Sequence, residues 1–383
     1  ATQYIAYRLE FRMELGKPLF WIFYNPFKFI LWQFVWAKNE LLKTIFLQAT
    51  GLFGVTVIAT SSIIVILNFN LRSRTSKSDL CGSAHWASAE EIEKEGLLEN
   101  RNGFYVGAWY NKTKKRIEYL RYTGEGNLLC CAPTGGGKGV GCIIPNLVSY
   151  PSSVVCNDVK GENWALTAGF RKNVLNNIAI KFDPTDKDNQ AACFNPLWEI
   201  RIGENEVRDT QNILEIICDP HGTEIRNHWS ERAQEMLLGV ILHVLYTHSD
   251  KSLGGVAEFL SGQGKTDYQI LEEMLHAVHD PDYSRAWRNN FTQELTQTHP
   301  IVYAVARQLT NTEAEERSGI ISTARRFLRL FLDPIIARNL SRSDFRITDL
   351  MHNDRPVSLY IIIPESDKDR LRPLVRIILK LIS

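Results

Sequence analysis

Residues 127–141 read NLLCCAPTGGGKGVG, and this stretch decides the fold class. The apolar run Leu128–Cys131 predicts a buried strand. Gly135, Gly136 and Gly137 predict a tight turn, and Lys138–Val148 predicts a helix. Strand, glycine turn, lysine and helix in that order form a phosphate-cradling P-loop. Glycines let backbone N–H groups turn toward phosphate oxygens, the helix N-terminus adds positive potential, and the lysine reaches the terminal phosphates. The predicted nucleotide contacts are Thr134, Gly135, Gly136, Gly137, Lys138, Gly139 and Val140. The eight-residue pattern asks for Gly first and Ser or Thr last, and Ala132 and Gly139 stand there instead. The missing hydroxyl is the one that ligands Mg²⁺, and Thr134 does not replace it by spacing alone.

Outward from this loop the sequence alternates. Ser153–Asn157 reads as a second strand, Glu162–Arg171 as a second helix and Ala179–Phe182 as a third strand. Such alternation predicts an α/β fold, a parallel sheet wrapped by helices. Upstream, residues 72–126 carry polar turns and a short strand, Ile117–Tyr122. From 206 to 333 the pattern is helix after helix. Ser230 is placed to cap a helix through Met236, Leu237, Val240, Ile241 and Leu245. Pro300 suits the first position of another, and a third covers 313–332, stopping before Pro334. Val357–Ile363 then reads as a buried strand and Leu371–Ile382 as a helix. An all-helical block is therefore expected inside an α/β domain, with divisions at 1–44, 45–71, 72–205, 206–333 and 334–383.

The chain has 383 residues, 44% hydrophobic and 23% charged, with a net charge of +1. Near-neutrality gives no bulk electrostatic case for nucleic acid or anionic lipid, so any DNA contact must come from a local patch. Several of the seven cysteines sit in apolar runs and none forms C-x-x-C. Buried, reduced thiols in a cytosolic body are expected, and no metal site. Ile45–Leu71 is 27 residues without a charge, longer than the ~20 that a spanning helix needs, and predicts an N-terminal transmembrane helix. Basic residues flank it on both sides, so charge does not orient it. A nucleotide site requires cytosolic nucleotide, which places the C-terminal body in the cytosol. Residues 18–37 are apolar and aromatic but interrupted by Asn25, Pro26 and Lys28. An interfacial segment at the headgroups fits them better than a second span.

Other residues carry chemistry less specifically. In VVCNDVKGEN, 154–163, Asp158 ends an apolar strand beside the P-loop, where ligands bind in open α/β sheets. Asp158 either orients Mg²⁺-bound water or caps the next helix; Glu162 follows as a second acidic candidate. FDP at 182–184 and FNPL at 194–197 read as turn chemistry. Arg317, Arg325, Arg326 and Arg329 share one predicted helix, a solvated face more readily than a finger for a neighbouring subunit's phosphate site. His276 and His279 lack a third ligand and read as surface or core histidines.

With these motifs in place, the chain resembles the coupling proteins of bacterial type IV secretion and conjugation, the TraG-like family. The resemblance rests on ATQYIAYRLEF at 1–11 and LGKPLF at 15–20, GSAHWAS at 82–88, APTGGGKGVG at 132–141 and IPNL at 144–147. It rests further on DVKGEN at 158–163, FNPL at 194–197, ERSGIISTA at 316–324 and SLYIIIP at 358–364. In that family Ala132 and Gly139 are usual. The resemblance implies a RecA-like ATPase domain with a helical insertion, binding ATP and Mg²⁺, with Lys138 catalytic and Asp158 and Glu162 beside it. It implies a hexamer anchored in the inner membrane lipid, residues before 45 periplasmic and the ATPase body cytoplasmic. The partners it implies are the type IV secretion channel subunits and ATPases, and a relaxase with single-stranded DNA, protein effectors, or both. The family also has a membrane helix before the matching region and a strand ending in Asp-Glu after it, so the sequence reads as an internal portion of a longer protein. Rival readings are a nucleotide-binding docking scaffold without turnover, a septal-type pump for duplex DNA and, more distantly, a small-molecule kinase.

Overall fold

A computed structural model describes the chain apart from residues 37, 76–84, 99–101 and 223–226; for 69–75 it describes the backbone alone. Part of GSAHWAS, Cys81 and Lys77 lie outside the described residues. The chain divides into two units, Ala1–Ala87 and Ser88–Ser383.

The first unit is helical: α1 (Thr2–Arg8), α2 (Lys28–Trp36) and α3 (Lys43–Thr75). Ile5, Ala6, Leu15, Tyr24, Phe29, Trp32, Phe46 and Ala49 form its core. Tyr24 and Trp32 meet edge to face at 5.4 Å, the geometry that ring quadrupoles favour. This core covers only the first turns of α3. Farther along, Val55, Ile58 and Val65 are each about two-thirds exposed. Within Lys43–Asn68, where mean hydropathy is 2.1, the most apolar 18-residue window has no buried share. At ~1.5 Å per residue such a helix reaches about 39 Å, enough to cross a hydrocarbon layer of about 30 Å. The nine residues of α2 are too few to cross one.

The second unit opens on α4 (Ala89–Lys94), started by a reciprocal Ser88–Glu91 capping box. An antiparallel hairpin follows, β1 (Phe104–Asn111) with β2 (Arg116–Tyr122), bulged between Tyr105 and Gly107. Then come α5 (Ile144–Ser149), β3 (Val154–Asp158), α6 (Glu162–Asn173) and β4 (Ile178–Phe182). The helical block holds α7 (Glu206–Cys218), α8 (His228–Thr247), α9 (Leu253–Leu260), α10 (Asp267–His276), α11 (Pro300–Thr310) and α12 (Ala314–Leu328). Two short helices, α13 (Pro334–Asn339) and α14 (Asp349–His352), lead to β5 (Val357–Ile362), and α15 (Arg372–Ile382) closes the chain.

β5 enters between β3 and β4, and both pairings are parallel. A central parallel strand is covered on both faces, and all six residues of β5 are buried. Its side chains alternate as a strand requires. Val357, Leu359 and Ile361 join the core of the helical block, whereas Tyr360 packs with Leu147 and Ala168 on the opposite face. Phe182 of β4 shares the first of these cores with Met236, Leu237, Val240 and Ile241 of α8. The helical block and this sheet are therefore one folding body. Helices also persist past 333 through α13 and α14.

Three local expectations change. Leu128–Cys131 forms no strand among the described residues; Leu128 is half exposed and Leu129 is 89% exposed. An apolar run supplies a tendency to be buried, but a strand also needs a ladder partner, and β3 and β4 pair only with β5. Cys130 and Cys131 are consequently exposed rather than buried. Ser230 is not the cap of α8: Asn227 is, and its carboxamide oxygen accepts from Ser230 N while Ser230 Oγ answers at Asn227 N. The helix expected over 313–332 ends at Leu328 and tightens into a 3₁₀ turn over Arg329–Leu332, because Pro334 forces the preceding backbone out of helical geometry.

Candidate functional site

The glycine loop adopts the backbone its sequence demands. Gly135 and Gly137 have φ of +76° and +80°, a left-handed region costing an L-residue about 1–2 kcal/mol. A Cβ at Gly136 would stand 2.9 Å from the carbonyl of Pro133, which accepts a 3.0 Å bond from Gly136 N. The loop is thus closed by its own backbone. Lys138 donates to the carbonyls of Ala132 at 2.6 Å and Pro133 at 3.3 Å. Thr134 to Lys138 and Val140 are exposed, and Gly139 is partly so.

The helix after the loop is not regular from its first residue. Gly139–Ile143 is a π-turn and only then does α5 begin. Pro145 explains the change, since it has no N–H for the carbonyl four residues back and its ring crowds that carbonyl. Gly139 differs from its neighbours: its φ is not left-handed, and a Cβ added there would meet nothing within 4 Å. Gly139→Ser should therefore fold with stability changed by less than about 0.5 kcal/mol, while Gly137→Ala should lose about 1 kcal/mol or more. Thermal unfolding of the two variants side by side checks this; equal losses would show that the loop is not held as described.

Asp158 ends β3 and is 2% exposed. Its Oδ2 accepts from Trp164 N at 2.8 Å and its Oδ1 from Asn163 Nδ2 at 3.3 Å. It caps the start of α6, across a turn in which Gly161 supplies φ +72°. Glu162 and Lys160 are exposed. Lys160, Lys181, Asp183 and Glu365 gather round a cavity of about 510 Å³ where β3, β4 and β5 end. A second cavity, about 1020 Å³, adjoins the glycine loop and is lined by Gly136, Gly137 and Lys138 together with Phe104, Tyr105 and Tyr122 of the hairpin.

One organising residue was not picked out from the sequence. Arg171 of α6 is fully buried. Its five N–H groups meet five acceptors. Nε donates to Ser358 Oγ at 2.6 Å. One terminal nitrogen donates to the carbonyls of Leu147 and Tyr150 at 2.6 and 2.8 Å, the other to Ser152 O at 2.7 Å and Asn177 Oδ1 at 2.6 Å. No carboxylate is among these partners, and burial pulls the guanidinium below its ordinary pKa. The side chain ties the end of the P-loop helix to central strand β5. A signal existed in the sequence: Thr167, Ala168 and Arg171 share one helical face, the buried one.

The other candidates separate. Arg317 donates to the carbonyls of Thr310 and Thr312, and Arg325 to Leu260 O and the Asp267 carboxylate at 2.7 Å, so both brace the helical block. Arg326 and Arg329 are exposed. Asn195 of FNPL caps a 3₁₀ turn, and Asp183 of FDP accepts from Thr185, as turn chemistry predicts. His276 is a surface residue beside Glu272, and His279 is a core residue.

His279 belongs to a relay whose tautomers the backbone fixes. His299 Nδ1 accepts from Ile301 N, so its proton lies on Nε2 and goes to Glu206 Oε1 at 3.1 Å. His279 Nδ1 accepts from His299 N, so its Nε2 proton faces His243 Nδ1 at 3.1 Å. Burial, with neighbouring histidines, lowers the pKa of His243 to about 3 and of His279 to about 4. Burial alone would raise Glu206, but bonds from His299, Tyr246 and Gly203 hold it below the usual carboxylate range. His243, His248 and Glu273 each bring a ligand atom within 4.8 Å of the others. Two features oppose a metal there: the relay places the His243 proton on its outer nitrogen, and Lys265 holds Glu273 at 2.6 Å.

The unfolded chain protonates His243 and His279 near pH 6.5, whereas the folded chain keeps them neutral until about pH 4 or below. Between these limits the unfolded state binds more protons, so stability falls as pH falls, by about 1 kcal/mol per pH unit for each histidine. Denaturant unfolding of the detergent-solubilised protein at pH 7 and pH 5 should show this decline, and His243→Phe should lessen it. An unchanged slope in the variant would remove the buried histidines as its cause.

Comparison with known proteins places the chain in a family. Residues 77–383 match the family model for type IV secretory system conjugative DNA transfer. Two conjugal transfer proteins TraG from Escherichia coli are 36% and 38% identical over the whole chain, which covers 60% of each. The VirD4 protein of Rhizobium rhizogenes is 26% identical over 86% of the chain and 46% of its own length. Among solved structures, the unbound monoclinic form of the bacterial conjugative coupling protein TrwB is 15% identical with a TM-score of 0.41, covering 65% of this chain and 48% of that one. The glycine loop, the parallel sheet and the interleaved helical block thus define a P-loop α/β protein. The chain belongs to the conjugative DNA transfer family of type IV secretion, the TraG-like coupling proteins. It spans about 60% of the length of the TraG relatives it matches.

Proposed function

We propose that this chain is part of an inner-membrane coupling ATPase. It recruits relaxase-bound single-stranded DNA, protein effectors or both, and delivers them to a type IV secretion channel. The observation that carries the reading is the P-loop itself, two left-handed glycines followed by an exposed lysine, within a chain of this family. Relatives support the cofactor: TrwB is described in complex with an ATP analogue and with ADP and Mg²⁺. Thr134, Val140 and the backbone N–H groups of Gly135 to Gly139 surround the phosphates, and Lys138 balances charge on the terminal ones. The loop suits a polyphosphate because Thr134 to Lys138 and Val140 are exposed, with the Gly136 N–H alone turned inward to Pro133. It offers Mg²⁺ no hydroxyl at position 139, so a carboxylate, with the bound phosphates, would hold the ion. Asp158 contributes by fixing the turn after β3, and Glu162 stands exposed on the same turn as the acidic group free to approach. The apolar length of α3 serves as the anchor, with the body cytoplasmic, residues before 45 periplasmic and the working form a hexamer.

ATP hydrolysis by the full-length oligomer tests the reading, measured alone, with single-stranded DNA and with duplex DNA. Turnover stimulated by the single strand is the expected result. Nucleotide binding without turnover under all three conditions would make the protein a docking scaffold, the reading that Gly139 favours. Stimulation confined to duplex DNA would make it a septal-type pump.

A further inference from the structure

The β1–β2 hairpin has a cationic tip and an apolar outer face. Residues 111–116 read NKTKKR, and Lys112, Lys114, Lys115 and Arg116 are all exposed. Asn111 builds the tip: its Oδ1 accepts from the N–H groups of Thr113 and Lys114, both at 3.0 Å. Glu118 answers two of the cations, Lys114 at 3.1 Å and Arg116 at 3.0 Å. Lys112 and Lys115 make no ion pair among the described residues. Behind the tip, Tyr110 stands opposite Ile117 and Ala108 opposite Tyr119. Directly opposed residues share one face of an antiparallel pair. On that face Tyr110, Ile117 and Tyr119 are 55%, 60% and 62% exposed, and Ala108 is exposed beside them. The base of the hairpin is fixed to the body. Asn146 of α5 bonds Tyr105 N and O at 2.6 and 2.8 Å, and Arg121 donates to Gly103 O and Ser149 Oγ.

We propose that this hairpin is a membrane-surface contact: its four cations engage anionic phospholipid headgroups, and Tyr110, Ile117 and Tyr119 lie at the boundary between headgroups and acyl chains. The proposal rests on the reading of α3 as a membrane anchor. Lysines near an anionic leaflet are attracted to it, and tyrosine, with an apolar ring and a polar hydroxyl, suits the headgroup level. Basic and aromatic side chains together also suit single-stranded nucleic acid, whose bases stack on rings. Three features favour lipid. Each tyrosine is opposed by an aliphatic residue, Tyr110 by Ile117 and Tyr119 by Ala108, and a buried aliphatic contact is what an acyl boundary rewards. Three of the four cations are lysines, point charges without the planar fork that arginine brings to nucleic acid. The chain also tethers the hairpin to any bilayer that α3 crosses, which raises the effective concentration of that surface. A patch of this kind acts locally, so the near-neutral charge of the whole chain does not oppose it. Contact there holds the nucleotide-binding body against the leaflet by more than its tether.

The test places the full-length protein in nanodiscs of phosphatidylcholine or of phosphatidylglycerol. A water-soluble amine reagent then labels its lysines, and hydrogen exchange is followed over residues 104–122. The expected result is labelling of Lys112 and Lys115 about fivefold slower in phosphatidylglycerol, the factor that each lysine gains at an anionic surface. Salt at about 1 M, where the Debye length is about 3 Å, should remove the difference. The double variant Lys112→Gln with Lys115→Gln should fold normally, since neither side chain pairs within the protein, and should lose the slower exchange over 104–122 in phosphatidylglycerol. Equal labelling in the two lipids overturns the proposal. Protection that appears in both lipids only when single-stranded DNA is added also overturns it, and assigns the hairpin to nucleic acid. Alkaline carbonate extraction of the protein from vesicles reads the anchor separately. Protein stripped from both lipids overturns the anchor reading, whereas protein retained with equal labelling overturns the hairpin contact alone.

Discussion

Lys138→Ala lowers nucleotide affinity about 30- to 150-fold and abolishes transfer of DNA or effector, while the protein still inserts and folds. The loss corresponds to about 2–3 kcal/mol for charged hydrogen bonds to phosphate. Folding survives because Lys138 is exposed and gives only two bonds, both to its own loop. The backbone of the loop is held without it, by the left-handed glycines and by the Gly136–Pro133 bond. Titration with a fluorescent ATP analogue measures the binding, and a mating or secretion assay in cells measures the transfer. Normal transfer with this variant would end the assignment of Lys138, and with it the motor reading. Lys138→Arg separates charge from geometry, since it keeps the cation but not the compact ammonium.

Arg171→Ala has the larger effect on stability, a loss of about 3–5 kcal/mol. Removing the guanidinium leaves carbonyls of Leu147, Tyr150 and Ser152, with the Ser358 hydroxyl and Asn177 amide, short of their donor in a buried site. Each orphaned buried acceptor costs about 1–3 kcal/mol, reduced where water enters. Arg171→Lys does not rescue it, because an ammonium offers three donors where five are used. Chemical unfolding of the solubilised protein gives the number. A loss below about 1 kcal/mol would mean that the network is not closed as described. The same variant loosens the end of the P-loop helix, so nucleotide affinity should fall even where the remaining fold survives. Arg171 is fully buried and bonds only to protein groups, so this is a positioning effect.

The periodic parts of the chain were legible because periodicity follows from backbone geometry. Val357–Ile363 reads as a buried strand since seven residues in succession without a charge suit a strand covered on both faces, and β5 lies there. Pro300 begins α11 because a missing N–H costs nothing in the first turn. Helix ends were less legible. Ser230 and Asn227 are both capping residues, and only the path of the chain into α8 decides that Asn227 stands outside the helix and Ser230 inside. The helical block reads as an insertion in the α/β domain because its residues are contiguous in sequence. In space Phe182, Leu359 and Ile361 share a core with α8, and no local pattern encodes that.

Within the site the division is similar. Three glycines and a lysine announce the phosphate loop, and DVKGEN announces a turn at the end of a strand. The sequence alone left Asp158 between orienting a metal-bound water and capping a helix; the bonds to Trp164 and Asn163 supply the capping role. Arg171 passed as an ordinary basic residue near a helix end because its acceptors come from positions 147 to 152, 177 and 358. Such partners meet only after the sheet has formed.

The amino-acid order by itself determined the glycine loop, the long apolar helix and the alternation of the α/β body, since each depends on neighbours within a few turns of the chain. Tertiary structure alone decided that Leu128–Cys131 has no strand partner among the described residues, and that a buried arginine joins its helix to the sheet. A strand needs a partner and a buried cation needs acceptors. Both are relations between residues distant in sequence, and folding is what brings them together.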